Sequence, residues 1–435
     1  MNKSLRSSEA EEFLLQTGMH PDLTDIEHEI SRFRREMRLG LASSASSLPM
    51  LPTYLTTDGA LPADQPVLVI DAGGTNLRLA RVCFRSSGGA ETEALCSCPM
   101  PGSTEALTLS EYLSRMVEIL RPHLQGDDLI GYCFSYEARI TPDRDGILSN
   151  FNKGVHVEGS DGMKVCEALE EALKDAGVPG KRRYVLLNDS TATAFGALSQ
   201  PASGGKTIGF ILGTGTNTCY PEMTSRISRY PVEKNGGTMM INMESGAYAG
   251  FPRGEADRLL DESDPLPGNH LYEKMVSGAY MGRLIYLTTV SAAERGLFSP
   301  LFRERLAEAE GFRAVDADAF VREPEGTGLL SGLCGSENDR TVLYDLIVRL
   351  YERAAKLVTV NLTAVMEEAG LGKDPQHPVL IAAEGSSFWK SALFFPMLTE
   401  ILESFAGKER HLFFNITSVP NANLIGSAAA ALLNA

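Results

Sequence analysis

A single aspartate precedes a glycine turn in the stretch "VLVIDAGGTNLRLARV", residues 67–82. Gly73 and Gly74 allow backbone N–H groups to approach an anion closely. Asp71 would repel a bound phosphate unless a divalent cation lay between them, and carboxylate, phosphate and water oxygens are ordinary ligands of Mg²⁺. The segment therefore indicates a metal-assisted nucleotide phosphate site. A plain hairpin turn accounts for the same residues without any ligand.

Two more glycine turns follow later in the chain. The stretch "GFILGTGTN" (209–217) resembles "LVIDAGGTN" (68–76), with Leu212 in the place of Asp71. Either one supersecondary unit is used twice, or two glycine turns are alike by chance. The stretch "AAEGSSFWK" (382–390) is predicted to end a strand and open a helix. Such a helix N-terminus suits an anion or the edge of an adenosine, and a serine-capped helix is the alternative.

One aspartate and a group of amides and charged side chains supply the remaining chemistry. Asp189 follows the strand-like run "YVLLN" and opens an alanine-rich helix, which places it at the carboxyl edge of a sheet, where the sites of α/β proteins lie. Helix N-capping is its alternative role. The hydroxyl groups of a polyol could be held by the set Lys153, Asn188, Asn217, Glu244 and Glu273. Each of these alone is more often a surface or capping residue, so the inference rests on the whole set.

Strand-like and helical segments alternate along the chain, which predicts an α/β fold with partly parallel sheets. After Asn76 the run "LRLARV" has a strand pattern. The preceding glycines therefore do not match the dinucleotide fingerprint, which requires a helix at this point. Residues 22–40 have apolar positions at helical spacing and end in Gly40, which predicts a helix with a glycine stop.

The chain has 435 residues, a length that predicts two domains or one domain split into lobes. Its formal net charge of -16 argues against a basic face for nucleic acid or anionic membrane. The seven cysteines are scattered and show neither a zinc pattern nor a disulfide framework. With no signal peptide and no window of membrane-spanning length, we expect a cytoplasmic protein with reduced thiols.

Eight motifs occur in an order and at separations that resemble the hexokinase/glucokinase family. They are "MLPTYLT", "DAGGTNLR", "FSYEA…SNFNKGVHVEG", "LNDSTAT", "GTGTNTCY", "INMESGAYAG", "PGNHLYEKMVSGAYMGRL" and "AAEGSSFWK". The resemblance extends over roughly residues 25–430. Any one of these motifs is weak, whereas all eight in sequence are specific.

The resemblance implies the two-lobed actin-like ATPase (ribonuclease-H-like) α/β fold, with an interlobe cleft. It places residues 62–188 plus 423–435 in the small lobe and residues 1–61 plus 189–422 in the large lobe. The implied activity is ATP-dependent phosphorylation of glucose, or of another hexose, at the 6-hydroxyl, the first step of glycolysis. The implied partners are a hexose, ATP and Mg²⁺, for a protein that is a monomer or a homodimer.

The same resemblance assigns roles to individual residues. Asp189 matches the catalytic base, and Lys153 is expected to stabilise developing charge. The residues implied to bind the hexose are Ser135, Asn152, Lys153, Asn188, Asp189, Asn217, Glu244 and Glu273. The residues implied to bind the nucleotide are Asp71, Gly73, Gly74, Thr75, Asn76, Arg78, Gly213, Thr214, Gly385 and Ser386. Asp71 would hold Mg²⁺ directly or through water.

Several positions depart from the family pattern. They are Tyr136-Glu137 for Phe-Pro, Asn152 for Thr, Ser245 for Trp, His270 for Gln and Glu384 for Asp. All but the last concern the sugar side, so mannose, fructose and glucosamine remain alternative substrates. The change at Glu384 concerns the nucleoside side, and it bears on the affinity for ATP rather than on the reaction.

Overall fold

The structure, a computed structural model, describes residues 6–151, 153–198, 206–234 and 236–435. The strands are β1 (Leu51–Pro52), β2 (Pro66–Gly73), β3 (Asn76–Phe84), β4 (Ala90–Pro99), β5 (Leu107–Thr108), β6 (Leu129–Phe134), β7 (Glu137–Ile140), β8 (Gly146–Asn150), β9 (Val157–Glu158), β10 (Arg183–Leu187), β11 (Thr207–Leu212), β12 (Thr216–Met223), β13 (Thr238–Asn242), β14 (Val379–Glu384) and β15 (Phe414–Thr417). The α-helices are α1 (Ser8–Thr17), α2 (Ile26–Ala42), α3 (Leu109–Leu120), α4 (Val165–Asp175), α5 (Asp189–Leu198), α6 (Glu255–Glu262), α7 (Leu271–Val276), α8 (Gly278–Glu294), α9 (Pro300–Ala307), α10 (Ala314–Arg322), α11 (Leu329–Leu333), α12 (Glu337–Ala369), α13 (Ser386–Lys390), α14 (Phe394–Leu402) and α15 (Ala422–Asn434).

Two large sheets share one topology. The first has the order β4-β3-β2-β6-β10, and the second has the order β13-β12-β11-β14-β15 with β1 added beside β13. In each sheet the first three strands pair antiparallel and the remaining pairs are parallel. The similarity between residues 68–76 and 209–217 is therefore a repeated supersecondary unit and not a chance match. The mixed α/β architecture predicted from the sequence is confirmed.

Helices α5 and α15 pack against each other between the two sheets. Helix α5 packs on β11, while α15 packs on β2 and β6. Small residues allow this close approach, since a Cβ on Gly209 would lie 2.0 Å from the carbonyl oxygen of Ser190, and a Cβ on Gly426 would lie 1.8 Å from that of Ala192. The N-terminal turn of α5, where Asp189 is placed, is thus pressed against the second sheet.

Three large apolar clusters, with a smaller fourth one around Ala197, hold these layers together. The largest surrounds the buried helix α12, the second lies between the first sheet and helices α3 and α4, and the third lies between the sheets and includes α5 and α15. Helix α15 follows the strands of the second sheet in the chain, yet it packs on the first sheet. The order of elements along the chain therefore does not define the lobes. The expected lobe boundaries stay a prediction.

The structure corrects one helix end and confirms one strand. Helix α2 continues through Gly40 to Ala42, so this glycine is no stop. A Cβ at Gly40 would lie 2.5 Å from the carbonyl oxygen of Leu48, which means that close packing explains the glycine. The run after Asn76 is strand β3, as predicted. Within the described ranges, the structure contains no helix of a length and apolarity suited to crossing a membrane.

Candidate active site

Asp189 is the first residue of α5, but the neighbouring Asn188 caps this helix. The Asn188 Oδ1 atom accepts hydrogen bonds from the backbone N–H and the hydroxyl of Thr191, at 3.0 and 2.8 Å. The Asp189 Oδ1 atom accepts one from the backbone N–H of Ser190, at 2.8 Å. The alternative of Asp189 as the N-cap is therefore wrong. Its second carboxylate oxygen has no protein donor among the described residues, so it can accept one from a ligand.

Glu244 is held by a pair of asparagines. Asn242 donates from Nδ2 to Glu244 Oε1 at 2.7 Å, and Asn217 donates to the same oxygen at 3.4 Å and to Asn242 Oδ1 at 2.8 Å. Burial raises the pKa of Glu244, the bond from Asn242 opposes this, and the negative charge of Asp189 raises the pKa further. Sequence reasoning missed Asn242, although it lies on the same strand end two residues before Glu244.

Glu273 lies in the first turn of α7 and faces the second glycine turn. Its Oε2 atom accepts the backbone N–H of Thr216 at 2.9 Å. A Cβ at Gly215 would come within 2.5 Å of the same oxygen, so only glycine leaves room for the carboxylate. Burial raises the pKa of Glu273, while the bond from Thr216 and the charges of His270 and Lys153 lower it. Lys153 is therefore within electrostatic range of Glu273.

Ser135, which follows β6, and Lys153, which follows β8, meet near the glycine turn at 73–74. Lys153 donates from Nζ to the carbonyl oxygen of Ser135 at 2.7 Å. Tyr136 donates its hydroxyl to the carbonyl oxygen of Gly74 at 2.5 Å. Tyr136, one of the departures from the family pattern, thus fixes this turn. The predicted ligand Asn152 lies outside the described residues.

Asp71 ends up beside an arginine. Arg78, opposite Asp71 on β3, donates from Nε to Asp71 Oδ2 at 2.8 Å, and Asn423 donates to Oδ1 at 3.3 Å. The turn is a two-residue hairpin with Gly73 opposite Asn76, and Gly74 has φ +58. The hairpin explanation is thus correct as geometry. It does not exclude a phosphate site, because a Cβ at Gly74 would meet no atom within 4 Å, which leaves the turn open.

The second and third glycine turns contact each other. Ser387 donates its hydroxyl to the carbonyl oxygen of Gly213 at 3.1 Å. A Cβ on Gly213 would lie 3.6 Å from the Cα of Gly385. Helix α13 has Gly385 at its N-cap, without a side-chain cap, so the alternative of a serine-capped helix is wrong. Thr214 and Ser386 are exposed beside this junction.

The buried thiol of Cys133 shows how close the two aspartates lie. Burial, followed by the charges of Asp71 and Asp189, raises the pKa of Cys133 well above its ordinary value. Asp189 in turn acts on Glu244, whose pKa it raises. Asp71 and Asp189 therefore both lie within electrostatic range of Cys133, and Asp189 within that of Glu244, while their grouping into one site stays a prediction.

Comparison with known proteins decides the family. Sequence profiles described as hexokinase match residues 14–198 and 207–433. The chain belongs to the hexokinase family. It is accordingly a sugar kinase, which transfers a phosphoryl group to an alcohol.

The relatives of this hexokinase include proteins of yeast, plants and mammals. It is 28% identical to hexokinase-1 of Schizosaccharomyces pombe over 459 residues, covering 99% of this chain and 91% of that protein. It is 30% identical to hexokinase-4, chloroplastic, of Oryza sativa subsp. japonica over 432 residues, covering 92% and 83%. It spans only 38% of hexokinase-3 of Mus musculus, at 29% identity over 78% of this chain.

Solved structures agree with the fold of this hexokinase. The hexokinase from Schistosoma mansoni complexed with glucose has a TM-score of 0.77 at 24% identity, covering 98% of both chains. Another hexokinase crystal structure has a TM-score of 0.78 at 20% identity, covering 99% of this chain and 100% of that one. Together with the repeated sheet topology, they confirm the two-lobed actin-like ATPase fold.

Proposed function

We propose that the protein transfers the γ-phosphoryl group of ATP to the 6-hydroxyl of glucose. The observation that best supports this reaction concerns Asp189. One of its carboxylate oxygens has no protein donor among the described residues, and the side chain lies within electrostatic range of Glu244 and near Asp71. Glucose as the hexose is supported by the relative from Schistosoma mansoni, whose structure contains glucose. The reaction would stand as the first step of glycolysis.

In this proposal Asp189 is the general base. Its Oδ1 atom is held by the backbone N–H of Ser190, so the other oxygen accepts the proton of the sugar hydroxyl as that oxygen attacks phosphorus. A positioned base contributes about 10²- to 10⁴-fold in rate. Most of the remaining acceleration has to come from positioning and charge neutralisation, because phosphoryl transfer needs little other chemistry from the protein.

The carboxylates of Glu244 and Glu273 would accept hydrogen bonds from hydroxyl groups of the hexose. Asn188 would donate its amide N–H groups, since its oxygen caps α5. Both ends of Asn217 have protein partners, so this residue supports Glu244 and would bind sugar only after one of its bonds is exchanged. Ser135, Asn152 and Lys153 would complete the sugar site, with Lys153 also stabilising developing charge. Deoxy analogues should be poor substrates, because they leave buried charged groups unpaired.

The nucleotide would lie between the glycine turns. Backbone N–H groups of the turn at 73–76 and of Thr214 would face the phosphate oxygens, whereas the N–H of Gly213 donates to the carbonyl oxygen of Gly215 at 2.9 Å and would have to exchange this bond. Gly385 with Ser386 would border the nucleoside. Arg78 would contribute positive charge beside Asp71. No cluster of three or more metal-ligating side chains occurs in the described part of the chain, so a metal ion here would need phosphate oxygens and water as further ligands.

Asp71 fits Mg²⁺ through water better than by direct contact. Its Oδ2 atom is paired with Arg78, and its Oδ1 atom has only the long bond from Asn423. When bound, Mg²⁺ would neutralise charge on the phosphates of ATP. Asp71 would orient a water ligand of the metal from Oδ1, while Arg78 holds the other carboxylate oxygen in place.

A cytoplasmic location is part of this proposal, supported by the seven free cysteines. The proposal also includes a protein that is a monomer or a homodimer, and sedimentation analysis would distinguish these two oligomeric states.

The first test is Asp189→Ala with a panel of hexoses. We expect calorimetric glucose binding within about threefold of the wild type and a loss of kcat of about 10²-fold or more, since the base acts only in the transition state. A coupled assay with glucose, mannose, fructose and glucosamine measures turnover and preference. Substantial turnover by the variant would remove Asp189 as the base, and turnover of another sugar above that of glucose would replace the substrate.

The second test is Asp71→Ala. We expect a higher Mg²⁺ requirement and a higher KM for ATP, with the affinity for glucose nearly unchanged. Glu91→Ala is a suitable control, because it also removes an arginine-paired carboxylate, at 2.8 Å from Arg85, on an exposed hairpin. An unchanged Mg²⁺ dependence in Asp71→Ala would refute the metal role.

A further inference from the structure

A surface cavity of about 250 Å³ lies away from the residues described above, between α2 and the segment that follows Glu244. Arg32, Arg35, Glu36 and Ser47 line one side, and Tyr248 with Gly250 line the other. The cavity carries two guanidinium groups against one carboxylate. Glu29 pairs with Arg32 beside the cavity, so the charges there are balanced overall, and the available positive charge is that of Arg35.

The charges in the cavity are unevenly paired. Arg32 donates to Glu29 at 3.1 Å, and Glu36 accepts bonds from the hydroxyl groups of Ser46 and Ser47 at 2.8 and 3.2 Å. Arg35 has no carboxylate partner among the residues that the structure describes. Its guanidinium therefore has its hydrogen-bond donors available for an oxyanion, which this group binds in a bidentate manner.

A buried tyrosine hydroxyl points independently to a ligand. Tyr248 is 1% exposed, and its hydroxyl has no hydrogen-bond partner in the described parts of the chain. Leaving such a group unpaired is costly. A Cβ on Gly250 would lie 2.2 Å from this hydroxyl, which places it directly beneath the cavity wall. A small displacement of Gly250 would open the hydroxyl to a bound anion.

Tyr248 also connects the cavity to both acidic segments of the active site. Its carbonyl oxygen accepts the backbone N–H of Tyr272 at 3.1 Å, one residue before Glu273. The turn before it is closed by the backbone N–H of Ala247 donating to the carbonyl oxygen of Glu244 at 3.0 Å. A shift of the segment 248–250 would therefore change the positions of the two carboxylates.

We propose that this cavity binds a small phosphate- or carboxylate-bearing anion through Arg32, Arg35 and the Tyr248 hydroxyl, and that its occupancy changes the affinity for the hexose. The binding step is independent of the proposed function, whereas the coupling rests on the roles of Glu244 and Glu273 given there. Linkage makes the coupling reciprocal, so glucose must alter the affinity for the anion by the same factor.

The test is calorimetric titration with inorganic phosphate, and separately with malonate, at constant ionic strength. Arg35→Gln and Tyr248→Phe should each weaken binding of the preferred anion about tenfold or more. Arg303→Gln removes an exposed arginine of α9, outside the cavity, and should bind as the wild type does. If the anion binds only in the interlobe cleft, Arg35→Gln and the wild type will have equal affinities for it, and the proposal is overturned. Failure of both anions to bind the wild type overturns it as well.

The coupling is measured as the dissociation constant of glucose with and without the anion. We expect a change of about threefold or more in the wild type and none in Arg35→Gln. Equal glucose affinities in the wild type, with anion binding intact, would refute the regulatory part. Failure of the wild type to bind glucose both with and without the anion would instead refute the proposed function, and the two failures are therefore distinguishable.

Discussion

Gly215→Ala should weaken glucose binding strongly while leaving the fold intact. The added Cβ would lie 2.5 Å from Glu273 Oε2, about 1 Å closer than an ordinary contact, so the carboxylate has to move. Gly215 does not have a positive φ, which means that alanine introduces no backbone strain of its own. The displaced carboxylate loses its bond to the N–H of Thr216, a residue 5% exposed. An unpaired buried N–H costs about 1–3 kcal/mol of unfolding free energy.

The effect on binding follows from the hydrogen bond that Glu273 would make to the sugar. A hydrogen bond to a charged group contributes about 1.5–3 kcal/mol, so the dissociation constant of glucose should rise about 10- to 100-fold. Calorimetry measures this rise, and urea denaturation measures the stability. Gly332→Ala is the matched control, because a Cβ there meets no atom within 4 Å. If Gly215→Ala binds glucose within twofold of the wild type, Glu273 is not a hexose ligand or its position does not depend on this contact.

The remaining predictions concern charge in buried places. Burial raises the pKa of Glu244, so its folded form binds a proton more tightly than its unfolded form, and protonation stabilises the fold as the pH falls through this raised pKa. Glu244→Gln should therefore unfold at higher urea concentration than the wild type at pH 7, with a smaller difference at pH 5, while glucose binding is lost at both. In the wild type, glucose affinity should fall as the pH decreases, and the fall should begin at a higher pH than a glutamate of ordinary pKa would give. Arg353 pairs with Asp257 at 2.6 Å, with side chains 3% and 2% exposed, and Arg353→Met should lower the unfolding free energy by about 3–5 kcal/mol because it leaves a buried charge unpaired. Its kcat per folded molecule should not change, and a stability loss under 1 kcal/mol would contradict the reasoning.

Much of the candidate site could be predicted from the sequence because its chemistry is local. The glycines of 73–74 and 213–215 follow strand-like runs, and turns at strand ends depend on neighbouring residues alone. The strand after Asn76 and the helix after Asn188 were predicted for the same reason. The similarity of residues 68–76 to 209–217 even predicted that one unit occurs twice, which the common strand order of the two sheets confirms.

Roles that depend on distant neighbours were not predictable in this way. Gly40 had the position of a helix stop, yet packing against Leu48 requires it inside the helix. Asn242 had no motif of its own, and its bond to Asn217 exists only because β12 and β13 pair. The sequence predicts that Asp71 holds a metal ion, directly or through water. Only the pairing of β2 with β3 shows that Arg78 already binds one of its carboxylate oxygens.

The sequence by itself determined the residue types, the turns and the order of strands and helices, since backbone preferences and apolar periodicity act over a few residues. The tertiary structure decided which of the polar groups remain free to bind a ligand. Asn188 caps α5 and leaves Asp189 available, while Arg78 and Asn242 take oxygens of Asp71 and Glu244. Asn423 donates to Asp71 Oδ1 from 352 residues away in the chain, and only the packing of α15 on β2 brings these two groups together.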